Sequence, residues 1–589
     1  MKKVIAIVER DKCHPDLCKH ECMKYDPINR SGGIGFHLSE EHGKAEISDV
    51  QVSEIHRICA KMCPFDAIQI VKLPERLNQD PLHKFGNNQF ELYDTPIIKG
   101  VGVTGILGRN GIGKSTAINI LAGILKPNLG KGIATEEEII HKFKHAVMGE
   151  YFTKLYTNNI ALSYKPQRVE FLVKEYKGKR VGELLKHVDE RNIIKHLIQI
   201  LELENLYERT VDQLSGGELQ RVAICATLAK KADVYYFDEP SSYLDITHRM
   251  KVAKLIHELG KQAAVIVVDH DLATLDYISD NLQIVYGEQA CYGIFSNVKG
   301  VGRGINEYIE GYIADDNVRF RSYKIDFTKA HQEELSPHVI YEYPELEKQF
   351  EKFRLHVAAG KLHKGEVLAI MGANGLGKST FVRMLAGLLK PDKGNVAKVA
   401  CVFKPQYLEA NTPETVEQFL KKHAGNEYNT GWYQTNIIEK LNLKLILKNP
   451  INVLSGGELQ KIHVAATLSG DHDLIIMDEP SAFVDVEDRL HVAAIIKEFI
   501  AKKEKAAIIV DHDIQFVDLV ADSLLVFEGE PGMAGQVLQP EKKHEGMNHV
   551  LKLLNITYRR DKQSRCARIN KPGSQLDKEQ RAKGNYYIS

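Results

Sequence analysis

Gly108-Arg-Asn110-Gly111-Ile-Gly113-Lys114-Ser115-Thr116 decides the reading of this chain. It follows the short β-type run Val103-Thr-Gly-Ile-Leu and opens the helically spaced apolar run Ala117-Ile-Asn-Ile-Leu. A glycine-rich turn between strand and helix closes backbone N–H groups around phosphates, and the helix N-terminus adds a potential that favours the anion. In that frame Lys114 reaches the β- and γ-phosphates of a nucleotide and Ser115 holds Mg2+. The stretch recurs 264 residues later as Gly372-Ala-Asn374-Gly375-Leu-Gly377-Lys378-Ser379-Thr380.

Other motifs recur in the same order. Leu214-Ser215-Gly216-Gly217-Glu218-Leu-Gln220 returns letter for letter as Leu454-Ser455-Gly456-Gly457-Glu458-Leu-Gln460, at an offset of 240. Phe237-Asp238-Glu239-Pro-Ser returns as Met477-Asp478-Glu479-Pro-Ser, again 240 later, and Val268-Asp-His270-Asp as Val510-Asp-His512-Asp, 242 later. Lys165-Pro-Gln167 is matched by Lys404-Pro-Gln406. The drop from 264 to 240 places about 24 extra residues in the first copy. Residues 136–159 are expected to form that insertion, with Ile139, Ile140, Phe143, Val147 and Tyr151 at helical spacing. The apolar runs ending in Asp238-Glu239 and Asp478-Glu479 read as buried strands. The first carboxylate of each pair suits Mg2+ and the second an attacking water; His270 and His512 suit a γ-phosphate sensor.

Composition narrows the setting. Of 589 residues, 43% are hydrophobic and 26% charged, with 78 basic against 78 acidic, which excludes a disordered chain, a fibre and a global field for nucleic acid or lipid. No apolar run approaches the length of a membrane helix, and the first residues lack the pattern of a secretory signal, so a cytoplasmic protein is expected. Five of the nine cysteines fall within the first 63 residues, a clustering that points to metal rather than disulfides. Residues 555–589 hold nine Lys/Arg against three Asp/Glu; with the insertion, they are the expected places for RNA contact. The expected order is a cysteine-rich head over 1–78, a first nucleotide-binding domain over 79–295, a hinge over 296–334, a second nucleotide-binding domain over 335–540 and a basic hinge or tail over 541–589.

In their order, these motifs resemble the nucleotide-binding domain of ATP-binding cassette (ABC) proteins. The resemblance implies a doubly built α/β fold and a monomer whose two cassettes pair head to tail around two ATP molecules. Site one would combine Gly108 to Thr116, Gln167, Asp238, Glu239 and His270 with Ser455, Gly456, Gly457 and Glu458. Site two would combine Gly372 to Thr380, Gln406, Asp478, Glu479 and His512 with Ser215, Gly216, Gly217 and Glu218. Ser115, Gln167, Asp238, Ser379, Gln406 and Asp478 would hold Mg2+, Glu239 and Glu479 would serve as bases, and Asp245 and Asp485 match the D-loop joining the sites. Phe85, Phe90 and Phe353 are candidates to stack on adenine or, equally, to be core.

The head narrows the family. Cys13-x4-Cys18-x3-Cys22-x3-Asp26-Pro precedes Ser53-x2-His56-x2-Cys59-x3-Cys63-Pro, a ferredoxin-like frame with substitutions. With Phe65-Asp-Ala-Ile-Gln-Ile, the insertion and Gly304-Ile-Asn-Glu-Tyr-Ile-Glu-Gly-Tyr in the hinge, it resembles the twin-cassette iron–sulfur ABC protein of archaea and eukaryotes, the ribosome-recycling or RNase L inhibitor family. That family has eight ligand cysteines and two [4Fe–4S] clusters. In two-cluster ferredoxins the last cysteine of each run serves the other cluster. Cys13, Cys18, Cys22 and Cys63 would then hold one cluster, while the second set reads Asp26, Ser53, His56 and Cys59. One [4Fe–4S] cluster is expected; an iron or zinc site at Cys59, His56 and Asp26, or no cluster at all, stays open. The resemblance further implies ATP-driven splitting of terminated or stalled ribosomes beside a release factor or a Pelota-type rescue factor, retention on the small subunit with its RNA and protein, and contact with initiation factors. A ribosome-bound regulator without splitting activity and a transporter ATPase are the alternatives.

Overall fold

The computed structural model describes all residues except 1–3, 75, 76, 78, 79, 326, 328–335, 398, 407–411, 562, 563 and 589. Each repeat builds a nine-stranded mixed sheet among the described residues. In the first, Gly102–Leu107, Ala264–Val268, Val234–Asp238 and Leu162–Lys165 run parallel in that spatial order, with the edge toward His83–Lys84 antiparallel. The second repeats this order with Val367–Met371, Ala506–Val510, Leu474–Asp478 and Cys401–Lys404. These central strands are continuous apolar runs because helices cover both faces. Phosphate loop, Asp-Glu pair and histidine leave the same ends of three adjacent strands, where ligands of open α/β sheets bind.

The head pairs Val4–Val8 antiparallel with Ile68–Lys72. Side chains alternate across this ribbon. Ala6 and Val8 join the head's own core with Phe36, Ile47 and Cys59, whereas Ile5 and Ile7 pack into the first cassette's core. Asn88 accepts a hydrogen bond from Ile47 N and donates one to Ala6 O, tying the head to the first cassette. Lys448 of the second cassette donates to Pro64 O at 3.1 Å, next to Cys63.

The insertion forms two helices, Glu136–Phe143 and Gly149–Tyr156. Gly149 is the elbow, since a Cβ there would sit 2.3 Å from the Phe143 carbonyl. Ile139, Phe143 and Tyr151 face the core as expected, but Val147, placed in the turn, is 78% exposed. The segment expected as a basic tail is folded: helix Lys543–Leu553, hairpin strands Tyr558–Arg560 and Ala567–Ile569, and helix Gln575–Ala582. Four of its cations bond to the protein itself. Arg560 pairs with Asp518, Arg568 donates to Asn306, Lys571 to Ser279 O, and Arg581 pairs with Asp577. The segment straps the two cassettes together.

Candidate functional site

Both phosphate loops have the same local cause. Gly113 and Gly377 sit at φ 91° and 92°, in the left-handed region that favours glycine, and cap helices Lys114–Leu121 and Lys378–Leu385. Lys114 Nζ folds onto its own loop, donating to Gly108 O at 2.8 Å, Arg109 O at 2.6 Å and Asn110 Oδ1 at 3.4 Å. Lys378 does the same with Gly372 O, Ala373 O and Asn374 Oδ1 at 2.9, 2.7 and 3.3 Å. Burial lowers both ammoniums to about 8, so a phosphate arriving here meets cations short of anionic partners. Gly111 and Gly375 also have positive φ, and Thr116 and Thr380 lie half-buried in the first helical turns.

The carboxylates meet these loops. Ser379 Oγ donates to Asp478 Oδ2 at 3.2 Å. Among the described residues neither carboxylate oxygen of the fully buried Asp238 has a well-formed hydrogen bond, although Ser115 lies beside it, and burial together with the Glu239 charge lifts its carboxyl to about 6 against Ser115, Lys165 and Lys114. A buried, unsatisfied carboxylate beside a serine hydroxyl fits a hard divalent cation such as Mg2+. Glu239 accepts from Gln167 Nε2 at 2.6 Å and Ser242 Oγ at 3.1 Å and lies 3.3 Å from His270 Nε2. Burial opposes its ionisation, but His270, Lys114 and Ser242 outweigh it and hold the carboxyl at about 2. Glu479 lies 3.6 Å from His512, with Ala482 where the first copy has Ser242. Burial and the Asp511 and Asp478 charges raise it to about 7 against Gln406 and Lys378.

Strained backbone aims both glutamates, which sit at φ 49° and 46° although neither is glycine. Side chains that lie within the repeated motifs, but to which the sequence reading gives no role, hold that turn. Lys165 Nζ donates to Asp238 O at 2.9 Å and Glu239 O at 3.2 Å; Gln220 donates to Glu239 O at 2.9 Å. Lys404 and Gln460 repeat this at Asp478 O and Glu479 O. Their one signal in the sequence is that these letters recur. Phe90 and Phe353 pack beneath Gly113 and Gly377, and each is followed in space by an exposed ring, Phe85 in the first copy and Phe350 in the second. Phe350 is absent from the sequence-based candidates; its backbone N–H pairs with Phe353 O as that of Phe85 pairs with Phe90 O.

The cassettes meet at the D-loops. Asp245 accepts from the Asn374 backbone N–H at 2.7 Å, across the gap to the other phosphate loop, and the Tyr243 and Phe483 rings meet edge-on at 5.6 Å. Asp485 is ionised more readily than usual: burial opposes this, but the Asp488 N–H, His270 and Arg109 overcome it. Ser215 and Ser455 cap helices Gly216–Ala229 and Gly456–Thr467. Among the described residues their hydrogen bonds go to Glu218 and Glu458 of their own helices, not to the opposite loop.

In the head all cysteines are free thiols. Cys22 feels the charges of Cys63, Cys13 and Cys18, after burial itself, and is pushed to about 12; the Ala67 N–H points at Cys63 Sγ at 3.4 Å. Burial raises the Cys22 and Cys63 thiols, and Cys22 lies in the field of Cys13, Cys18 and Cys63, the four thiols that one iron–sulfur cluster would need. Cys59 stands apart, its thiol pushed to about 12 by burial and the nearby Asp26. The Asp26 oxygens accept from Ile28 N at 2.7 Å and Phe36 N at 2.6 Å, and His56 Nε2 lies 3.6 Å away. His56 Nδ1 faces Ser53, whose backbone N–H is 3.1 Å off. The second set therefore comes together: the Asp26 oxygens and His56 Nδ1 are engaged by the protein's own groups, while the buried His56 Nε2 has no hydrogen-bond partner among the described residues. Among the described residues the trio with atoms close enough for one metal ion is Glu345, Glu347 and His356, and Lys393 occupies both carboxylates.

Two such sites on tandem sheets define an ABC-type ATPase. The ABC transporter family model matches residues 98–242 and 355–482, and the model of a possible Fer4-like domain in RNase L inhibitor matches residues 4–33. An ABC transporter ATP-binding protein of Methanocaldococcus jannaschii is 45% identical over 99% of this chain and 97% of its own. Translation initiation factor RLI1 of Saccharomyces cerevisiae is 40% identical over 99% and 98%. Among solved structures, the model of ribosome-bound archaeal Pelota and ABCE1 aligns with a TM-score of 0.94 at 46% identity over the whole of both chains. The complex of archaeal ribosomal stalk protein aP1 with the recycling factor aABCE1 aligns at 0.83 and 46%, covering 87% of this chain and all of that one. The chain belongs to the RNase L inhibitor family of twin-cassette ABC ATPases.

Proposed function

We propose that the protein is an ATP-driven recycling factor of the cytoplasm that splits ribosomes after termination or stalling, beside a release factor or a Pelota-type rescue factor, and stays on the small subunit. The observation that carries this reading is the end-to-end likeness to the ABCE1 chain of the ribosome-bound Pelota complex. The aP1 complex supports a ribosomal stalk contact.

In this reading ATP enters each phosphate loop and Lys114 or Lys378 exchanges its own loop carbonyls for phosphate oxygens. Ser115 and Asp238, or Ser379 and Asp478, hold Mg2+ with Gln167 or Gln406; the ion neutralises phosphate charge when bound. Ser455 and Ser215 join the opposite phosphates only on closure, and that differential contact is what ATP uses to close the cassettes. Glu239 and Glu479 orient or deprotonate water, and His270 and His512 contact the γ-phosphate. Phe85 and Phe350 offer rings to adenine. Because the head touches both cassettes, at Asn88 and at Lys448, closure must move it.

Cys13, Cys18, Cys22 and Cys63 hold one [4Fe–4S] cluster, which cross-links a head too small for a large core. Asp26, Ser53, His56 and Cys59 hold none. A double variant, Glu239→Gln with Glu479→Gln, tests the assignment. It is expected to retain ATP and co-sediment with small subunits; rapid turnover by that variant contradicts the roles given to the glutamates.

A further inference from the structure

The two sites differ in one contact that spans three parts of the molecule. Arg109, inside the first phosphate loop, places Nε 3.8 Å from Glu487 Oε2 of the second cassette. Glu487 is 2% exposed and lies two residues beyond the D-loop Asp485. The same oxygen is 3.4 Å from Arg321 Nη1 in the hinge. Arg321 is fixed from behind: it donates to the last carbonyls of the hinge helix Val301–Glu310, Tyr308 O at 2.5 Å and Ile309 O at 2.6 Å, and to Tyr323 O at 2.9 Å. Its guanidinium also lies 5.5 Å from the Tyr308 ring centroid. Removing one partner of a buried carboxylate held between two guanidiniums leaves charge uncompensated, which costs more than breaking an exposed pair.

The repeat supplies a control. The residues at the corresponding positions for site two are Ala373 in the phosphate loop and Thr247 beyond the D-loop, so neither charge exists there. We infer that Arg109, Glu487 and Arg321 form a positioning relay that ties the closure of site one, and not of site two, to the hinge. Glu487 draws the first turn of helix Val486–Lys503 toward the first phosphate loop, and with it Asp485, which already lies in the field of His270 and Arg109. None of the three touches the reacting atoms. The relay rests on the reading of both ATP sites as composite.

Its test measures distances across each gap in the full, cluster-loaded protein, with spin labels on genetically encoded residues, before and after ATP–Mg2+. The unsubstituted protein should narrow both gaps. Arg109→Ala should shift the closed fraction of site one down by about threefold to tenfold and leave site two unchanged. Arg109→Lys should restore most of it, and Glu487→Gln added to Arg109→Ala should cost little more than either alone. Arg109→Ala changes a half-exposed side chain, so it keeps the test valid if Glu487→Gln fails to fold. Equal shifts in both gaps, additive losses, or no shift in site one overturn the relay. If ATP narrows neither gap in the unsubstituted protein, the composite-site reading fails instead. Steady-state kinetics give a second readout: because hydrolysis needs the closed state, the relay predicts a loss of turnover in Arg109→Ala that Arg109→Lys largely restores, whereas a general loss of folding is not rescued by lysine.

Discussion

Replacing Asp26 by alanine orphans two buried backbone donors in the head. In the native structure Asp26 is fully buried, caps the short helix Pro27–Arg30 by accepting from Ile28 N at 2.7 Å, and accepts from Phe36 N at 2.6 Å with its other oxygen. A buried donor left without a partner costs about 1–3 kcal/mol, so the pair amounts to about 2–6 kcal/mol. Gly35 packs so close to Asp26 that a Cβ there would sit 2.2 Å from the carboxylate. The head carries a small core, so most of this cost falls on local opening rather than being shared with the cassettes. Hydrogen exchange read by mass spectrometry over residues 26–38 should therefore speed up by a factor of about thirty or more, at about 1.4 kcal/mol per tenfold. Asp26→Asn, which keeps one accepting oxygen, should show about half the effect in free energy. Exchange in strand Val4–Val8, which is paired with Ile68–Lys72, should change much less. Unchanged exchange at Ile28 and Phe36 in Asp26→Ala would refute the claim that this carboxylate has taken over a structural role.

Three further outcomes follow from the same geometry. Protein purified without oxygen should contain about four iron and four sulfide per chain, since one set of four thiols is complete; about eight, or none, contradicts the ligand assignment. Changing Asp26, Ser53 and His56 together to cysteine gives Cys59 three thiol neighbours and should raise both counts toward about eight. A count that stays near four would mean the pocket's shape, and not its donors alone, excludes a cluster. Gly113→Ala forces a left-handed alanine whose Cβ would meet the Phe90 ring at 2.7 Å, so ATP affinity at site one should fall at least about tenfold at a strain of about 1–2 kcal/mol plus the clash, as measured by equilibrium binding with site two disabled by Lys378→Ala.

The repeat makes the cassettes legible in the amino-acid sequence alone. Loop, signature, Asp-Glu pair and histidine each follow from a local pattern, and two copies in register fix which strand ends they occupy. The parts that escape are those whose partners lie elsewhere in the chain. Lys165 and Gln220 hold a strained turn through main-chain carbonyls, and no spacing rule marks a residue whose target is backbone. Phe350 escapes because its equivalent in the first copy is separated from Phe90 by a longer loop. The C-terminal arginines look free in the sequence because a charge count cannot see Asp518 or Asn306, far away along the chain. Val147 fits a helical period that Gly149 interrupts. The departure from Ser242 to Ala482 is visible in the letters, but its meaning needs the 3.1 Å bond to Glu239.

The most direct test of ribosome splitting is gradient sedimentation of stalled ribosomes with this protein, a Pelota-type factor and ATP–Mg2+. Full ribosomes should convert to separate subunits, with the protein on the small one, and Lys114→Ala with Lys378→Ala should give no conversion. Intact ribosomes carrying the wild-type protein through the gradient, under conditions where it hydrolyses ATP, would contradict the proposed function.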